Sequence, residues 1–313
     1  MITMNAQNNR HRGDMKKKFG AAALDILFSS VVYILFMGKL TLWAVNNETI
    51  RRYFPSTTYP GGAHWAVPLP IHAATFVVLI LYIKLLAEAE LKDYYLSGPP
   101  KLRWILVGLL SVVFYTATVQ LILPGKWIVQ IGEPPLSSVL AAVRKSVITY
   151  LTNAQYFPVL LMGGVFYGAL RRRMSLKSAL FAVGGIIAVL SYNGITSAAD
   201  VTYMLFCGIQ GAAFGLIAEY TGSVWSALLM DFPFVILMDQ QVINLFHGYH
   251  HWSPMDARVL LIHQPNNPDR LLNELMIGTS AYDHACTVPM AIFYLLVIAC
   301  LYAKIRKRSG SPE

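Results

Sequence analysis

The residues of this chain best placed to do chemistry are ionisable groups set inside apolar stretches. Keeping a charged side chain at membrane depth costs about 2.5–3.5 kcal/mol on insertion scales, so any residue retained there is a functional candidate. Asp231 and Asp239 share one apolar segment with Gln240, Gln241 and Asn244. At about 100° per residue the two aspartates fall about 80° apart on a helix, close enough for both to face a bundle interior. With Asn193 and Tyr167 they form a candidate polar cavity, suited to proton or cation handling or to general acid–base work. A second constellation is His247, His250 and His251 in Phe246-His-Gly-Tyr-His-His-Trp252. Spacings of three and four residues put imidazoles on one helical face, a donor set for a metal such as zinc, to which Asp283 or His284 could add a ligand. The competing reading is an interfacial anchor, because Tyr249 and Trp252 suit the headgroup level and Gly248 weakens a helix. Asp25, His72 and Gln120 are isolated and read as interhelical hydrogen bonds, while Lys39 and Lys84 near helix ends read as snorkelling side chains.

Other chemistries are excluded by pattern. Cys207, Cys286 and Cys300 each sit in an apolar segment, with no C-x-x-C pair and no disulfide framework. There is no Gly-rich phosphate loop, nucleophile elbow or His-Glu-x-x-His helix. Metal at the histidine cluster is the one cofactor the sequence allows.

The elements that must position these residues are membrane helices. The chain is 56% hydrophobic and 13% charged, against about 25% charged in soluble proteins, and a soluble fold of this size cannot hide that much apolar surface. Apolar stretches of about 20 residues, the length that crosses a hydrocarbon core, centre on Ser30, Val77, Ser111, Gly163, Ile187, Gly211, Phe234 and Leu295. The first, from about Phe19 to Val45, is longer than a signal-peptide core and reads as a membrane helix. The expected fold is therefore an all-α polytopic bundle of about eight transmembrane helices.

The formal charge of +9 is topological. With the N-terminus inside, 16 of the basic residues lie in cytoplasmic segments, including Arg171, Arg172, Arg173 and Lys304 to Arg308, and 7 in the opposite loops. Both termini are then cytoplasmic and the membrane is the plasma or inner membrane. The partner is the lipid bilayer, and nucleic acid is not expected. Of the outer segments, Lys126–Gln155 holds an amphipathic portion, Val139–Tyr150, suited to the interface, and His247–Asp283 is polar and Pro-rich. The organisation reads as a basic tail (1–18), N-terminal helices with the interfacial segment (19–155), a core (156–245), an outer loop (246–284), a last helix (285–305) and a second tail (306–313).

The run Gly211-Ala-Ala-Phe-Gly-Leu-Ile-Ala-Glu-Tyr-Thr-Gly-Ser-Val-Trp-Ser-Ala-Leu-Leu-Met-Asp231, preceded by Phe166-Tyr167-Gly168 and Arg171-Arg172-Arg173, resembles the core of the CPBP family. These are intramembrane proteases that include CAAX prenyl endopeptidases and bacteriocin-processing or self-immunity proteins. The resemblance spans Met162 to Val235, and Gly211 and Gly215 also fit close helix packing in lipid. It implies a site built from Glu-Glu-x-x-x-Arg, Phe-x-x-x-His and His-x-x-x-Asn/Asp motifs that activates water and stabilises an oxyanion. In this chain Met162 and Gly163 stand where the paired glutamates belong and Tyr167 where the arginine belongs. Ser191 or Asn193 takes the place of the second-motif histidine, Asp231 that of the third-motif histidine, and Val235 follows four residues on.

The family's hydrolytic mechanism therefore does not carry over to these positions. The expectation is a pseudoprotease that binds a peptide or lipid-modified partner in immunity, maturation or assembly. The alternatives are a membrane enzyme with a re-purposed site, including a divergent protease, and a small transporter, for which no internal repeat is found.

Overall fold

The structure is a computed structural model that describes residues 20–55, 66–122, 124–129, 135–152, 156–191, 198–239, 243–244, 261–266 and 281–309. In lipid an apolar segment has no water to satisfy its backbone, so it closes its own hydrogen bonds as a helix. The helices are α1 (Gly20–Asn46), α2 (Glu48–Tyr53), α3 (Pro68–Leu86), α4 (Arg103–Ile122), α5 (Pro135–Thr152), α6 (Tyr156–Arg171), α7 (Leu176–Leu190), α8 (Ala198–Thr221), α9 (Val224–Leu237) and α10 (Ala281–Ser309). Five of them, α1, α3, α4, α8 and α10, are long and apolar enough to cross a membrane, and α6, α7 and α9 are shorter apolar helices. Large apolar side chains such as Leu106, Leu110, Leu121, Phe181 and Val189 face outward, the pattern of a lipid-facing surface rather than a water-facing one.

Helix α8 is the central element. Ala212, Ala213, Phe214, Leu216, Ile217 and Ala218 are all buried, packed by α6, α7, α9 and α10. Small residues set how closely these helices approach. A Cβ on Gly163 of α6 would come within 3.0 Å of the Phe214 Cβ, and one on Gly215 would overlap the Tyr167 ring. Gly211 likewise leaves room for Ile187 of α7, and Gly108 of α4 lies against the Met230 carbonyl of α9. The expectation of close packing at Gly211 and Gly215 is met, with the absent side chains filled by named neighbours.

Several helices contain wide, π-type turns: Tyr33–Leu40, Tyr82–Leu86, Leu160–Phe166 and Val235–Asp239. The last corrects the angular argument for Asp231 and Asp239. Pro233 interrupts the ladder and the turn then widens, so 100° per residue does not hold between the two aspartates.

The two ends of the bundle differ. At one end the segment between α3 and α4 docks on the turn between α8 and α9. Ser223 Oγ donates to the Gly98 carbonyl at 2.6 Å, Trp225 Nε1 to Leu96 at 2.9 Å, and the Val224 amide to Tyr95 at 2.9 Å. Gly222 turns the chain at φ +74°, a conformation that favours glycine. This is the structural use of Thr221-Gly222-Ser223-Val224-Trp225. Asp25, Arg171 to Arg173 and Arg308 gather at this same end, where the Arg308 guanidinium lies 4.4 Å from the Tyr220 ring centroid.

At the other end lies a small sheet that an all-α expectation misses. Strand β1 (Gly125–Val129) pairs antiparallel with β3 (Leu261–Pro265), which pairs parallel with β2 (Ile243–Asn244). Strands β1 and β3 come from the two outer segments and pair residues more than a hundred positions apart, while β2 comes from the end of the core and pairs with β3 only 18 residues on. The amphipathic segment there is α5, whose Ser146 and Tyr150 are buried.

Candidate functional site

Two polar clusters are built inside the bundle. The first surrounds Tyr167. Tyr167 and Arg171 stand four residues apart on α6 and so share a face, and both reach Glu219 near the end of α8. The Tyr167 hydroxyl donates to Glu219 Oε2. Arg171 Nε donates to both carboxylate oxygens, at 3.1 and 3.0 Å, and its Nη1 to the Met174 carbonyl at 3.1 Å. Tyr95 closes the group, its ring centroid 5.9 Å from that of Tyr167. Burial first, then the Glu219 carboxylate, pushes the Tyr95 phenol above its ordinary value.

Next to it, the Asp25 carboxylate is buried and fully used. It accepts from Tyr82 at 2.8 Å, Tyr94 at 3.0 Å and Arg173 Nη1 at 2.9 Å, while Arg172 Nη1 donates to the Tyr94 hydroxyl at 3.1 Å. The expected interhelical hydrogen bond at Asp25 is thus a network of α1, α3, the segment before α4, and the end of α6. Two of the three arginines read as orientation signals, Arg171 and Arg173, also form ion pairs.

The second cluster surrounds Asp231 and His72. Asp231 is buried on α9 and accepts a long hydrogen bond, 3.4 Å, from the Tyr294 hydroxyl of α10, which in turn accepts from Gln210 Nε2 at 3.2 Å. On the other flank, Tyr150 of α5 packs edge-on against Phe232 at 5.2 Å and against Tyr156 at 6.0 Å between centroids. Tyr156 bonds His72 Nδ1 of α3 at 3.2 Å. The Leu151 carbonyl is a further hydrogen-bond acceptor for the imidazole, and His72 Nε2 is buried without a partner in hydrogen-bond geometry. Nor do Ser146 Oγ and Tyr150 OH. Buried polar atoms are almost always paired, so these three are exceptions within the bundle, as is Trp104 Nε1 of α4.

Of the residues singled out from sequence, Tyr167 and Asp231 therefore have different partners and belong to different clusters. Asp239 ends the wide turn Val235–Asp239 that continues α9, and its side chain lies outside the described residues, as do Asn193, His247, His250 and His251. Among the described residues no group of three or more His, Cys, Asp or Glu side chains could hold a metal ion. Sequence reasoning missed Glu219 as the partner of Tyr167, and it missed Ser146, Tyr150, Tyr156 and Tyr294. His72 carried a signal, since an imidazole in an apolar helix is costly; the tyrosines carried none, because tyrosine is ordinary in a membrane protein. Comparison with family models, curated proteins and solved structures finds no match to this chain.

Proposed function

We propose that the chain is an integral membrane protein of eight crossings with both termini cytoplasmic, and that its core is a CPBP-like scaffold that binds a peptide or lipid-modified protein partner without cleaving it. The observation that carries this reading is the state of the motif positions. Gly163, in one of the glutamate positions, is pressed against Phe214 with no space for a longer side chain. Tyr167, in the arginine position, is consumed by Glu219, whose charge Arg171 already balances. A water-activating carboxylate needs an unengaged oxygen near the scissile bond, and Glu219 is engaged on both.

An enzyme with a re-purposed site built from Tyr167, Asn193, Asp231 and Asp239 needs these groups to converge, and the separate partners of Tyr167 and Asp231 weigh against it. Eight crossings are supported by the eight apolar helices, α6, α7 and α9 serving as the short ones. The position of the described basic residues Arg171, Arg173 and Arg308 at one end of the bundle, opposite the small sheet, supports the orientation.

The test is the full chain reconstituted in lipid vesicles and offered a fluorescent prenylated peptide. Saturable binding with an intact peptide after prolonged incubation is expected. Cleavage that disappears in Asp231→Asn would overturn the non-proteolytic reading, and absence of binding would overturn the partner class.

A further inference from the structure

We propose that Arg103 and Arg308, gathered on the ring of Tyr220, bind the phosphate of an anionic phospholipid at the membrane boundary. The Arg308 guanidinium carbon lies 4.4 Å from the Tyr220 ring centroid and that of Arg103 lies 6.0 Å from it. Two cations from different helices are thus held within about 10 Å of each other, close to the Debye length at physiological salt, so solvent ions leave much of their repulsion in place. The three consecutive arginines at this end each have an answering group: Arg171 has Glu219, Arg173 has Asp25, and Arg172 donates to the Tyr94 hydroxyl. Among the described residues Arg103 and Arg308 make neither an ion pair nor a side-chain hydrogen bond, and both are exposed. Glu219, the carboxylate next in sequence to Tyr220, is already held by Tyr167 and Arg171.

The surroundings select a lipid over a free anion. Three of the helices long and apolar enough to cross a membrane end here: Arg103–Ile122 begins at Arg103, Asp200–Thr221 ends one residue past Tyr220, and Thr287–Arg308 ends at Arg308. The cations therefore stand where a bilayer changes from hydrocarbon to headgroups. The surface leading away from them is apolar. Leu106 and Leu110, three and seven residues beyond Arg103 and so on its face of α4, are 68% and 58% exposed. Lys304, one turn before Arg308 on α10, is exposed and adds a third cation. A phospholipid meets both demands: its phosphate accepts from guanidiniums that offer planar forks of N–H donors, and its acyl chains cover the leucines. A zwitterionic headgroup carries its own ammonium, which the arginines repel, so the lipid is one of net negative charge. The site rests on the chain lying in a membrane and is separate from the Tyr167 cluster, so it stands whether or not the prenylated peptide binds.

The experiment uses the full chain, purified in mild detergent and titrated with dioctanoylphosphatidylglycerol or dioctanoylphosphatidylcholine, with bound lipids counted by native mass spectrometry. Retention of phosphatidylglycerol in preference to phosphatidylcholine is expected. Arg103→Gln and Arg308→Gln should each weaken phosphatidylglycerol binding about fivefold, the contribution of one basic residue near an anionic surface. Lys92→Gln removes the same charge from an exposed lysine already paired with Glu90 and should leave binding unchanged. Tyr220→Leu keeps every charge but removes the ring that gathers the arginines, so it should weaken binding, and Tyr220→Phe should restore it. If Tyr220→Leu fails to fold, the two arginine variants, both at exposed positions, decide. Equal retention of the two lipids, or a loss in Lys92→Gln as large as in the arginine variants, would reduce the pair to general surface charge and overturn the proposal. Saturable binding of inorganic phosphate in equilibrium dialysis would make this a site for a free anion and overturn the lipid assignment.

Discussion

At the scale of single residues, the bundle treats its buried charges in two ways. Around Asp25 every oxygen is spoken for: Arg173 supplies the opposite charge and two phenols supply the remaining bonds. Side-chain exposures of 4% for Asp25 and 14% for Arg173 mean that solvent screens this pair little. Removing one partner of a buried ion pair costs about 3–5 kcal/mol, because the other charge is left uncompensated. Asp25→Asn and Arg173→Met should therefore each lower the stability of the detergent-solubilised protein by an amount in that range, with Arg173→Met the more severe. The double variant should recover part of the loss. Thermal unfolding in a double-mutant cycle measures this, and simple additivity of the two losses would show that the pair is not coupled. Around His72 the pattern differs: Nδ1 meets the Tyr156 hydroxyl, while Nε2, Ser146 Oγ and Tyr150 OH are buried without a partner in hydrogen-bond geometry.

At the scale of elements, the helices are held at close range by glycines whose missing side chains are replaced by a neighbour's. Gly215 admits the Tyr167 ring and so lets that hydroxyl reach Glu219 on the same helix as the glycine. Gly185 of α7 has nothing within 4 Å of where a Cβ would stand. The two glycines make opposite predictions. Gly215→Ala should cost about 1–3 kcal/mol as the tyrosine is displaced. Gly185→Ala should be neutral or gain up to about 1 kcal/mol from helix propensity. Urea or thermal unfolding of both variants distinguishes the cases, and equal effects would mean that Gly215 is not an interhelical contact. The run around Gly211 and Gly215 was legible in the sequence as a packing face. Which residue fills each notch was not, because a small residue records that something approaches and not what.

For the whole molecule, Arg171 to Arg173 and Arg308, among the described basic residues assigned to the inside, lie at one end, and strands from the two outer segments pair at the other. That arrangement makes a prediction about sidedness. In a background without Cys207, Cys286 and Cys300, a cysteine at Lys126→Cys should react with a membrane-impermeant thiol reagent added outside intact cells. Lys92→Cys and Lys307→Cys should react only after the membrane is opened. Labelling in the reverse order would invert the orientation, and labelling of all three from outside would refute the crossing pattern.

Sequence alone determined where the helices run, since each of the eight apolar centres falls within a helix, and which loops carry the basic charge. Both follow from local rules: a stretch of apolar residues in lipid must close its own backbone bonds, and the distribution of lysine and arginine orients it. Asp25 as a satisfied interhelical group was also within reach, because an isolated carboxylate in an apolar helix must find a partner. Tertiary structure decided who that partner is. Arg173 lies 148 residues from Asp25, Tyr156 lies 84 from His72, and Glu219 lies 52 from Tyr167. Pairings across such separations depend on how helices cross and on which face each turns inward, and nothing in the local pattern encodes them. The same holds for the small sheet, whose strands are too short to announce themselves. The candidate site changed for this reason: Tyr167 and Asp231, grouped from the sequence in one cavity, have separate partners in Glu219 and Tyr294.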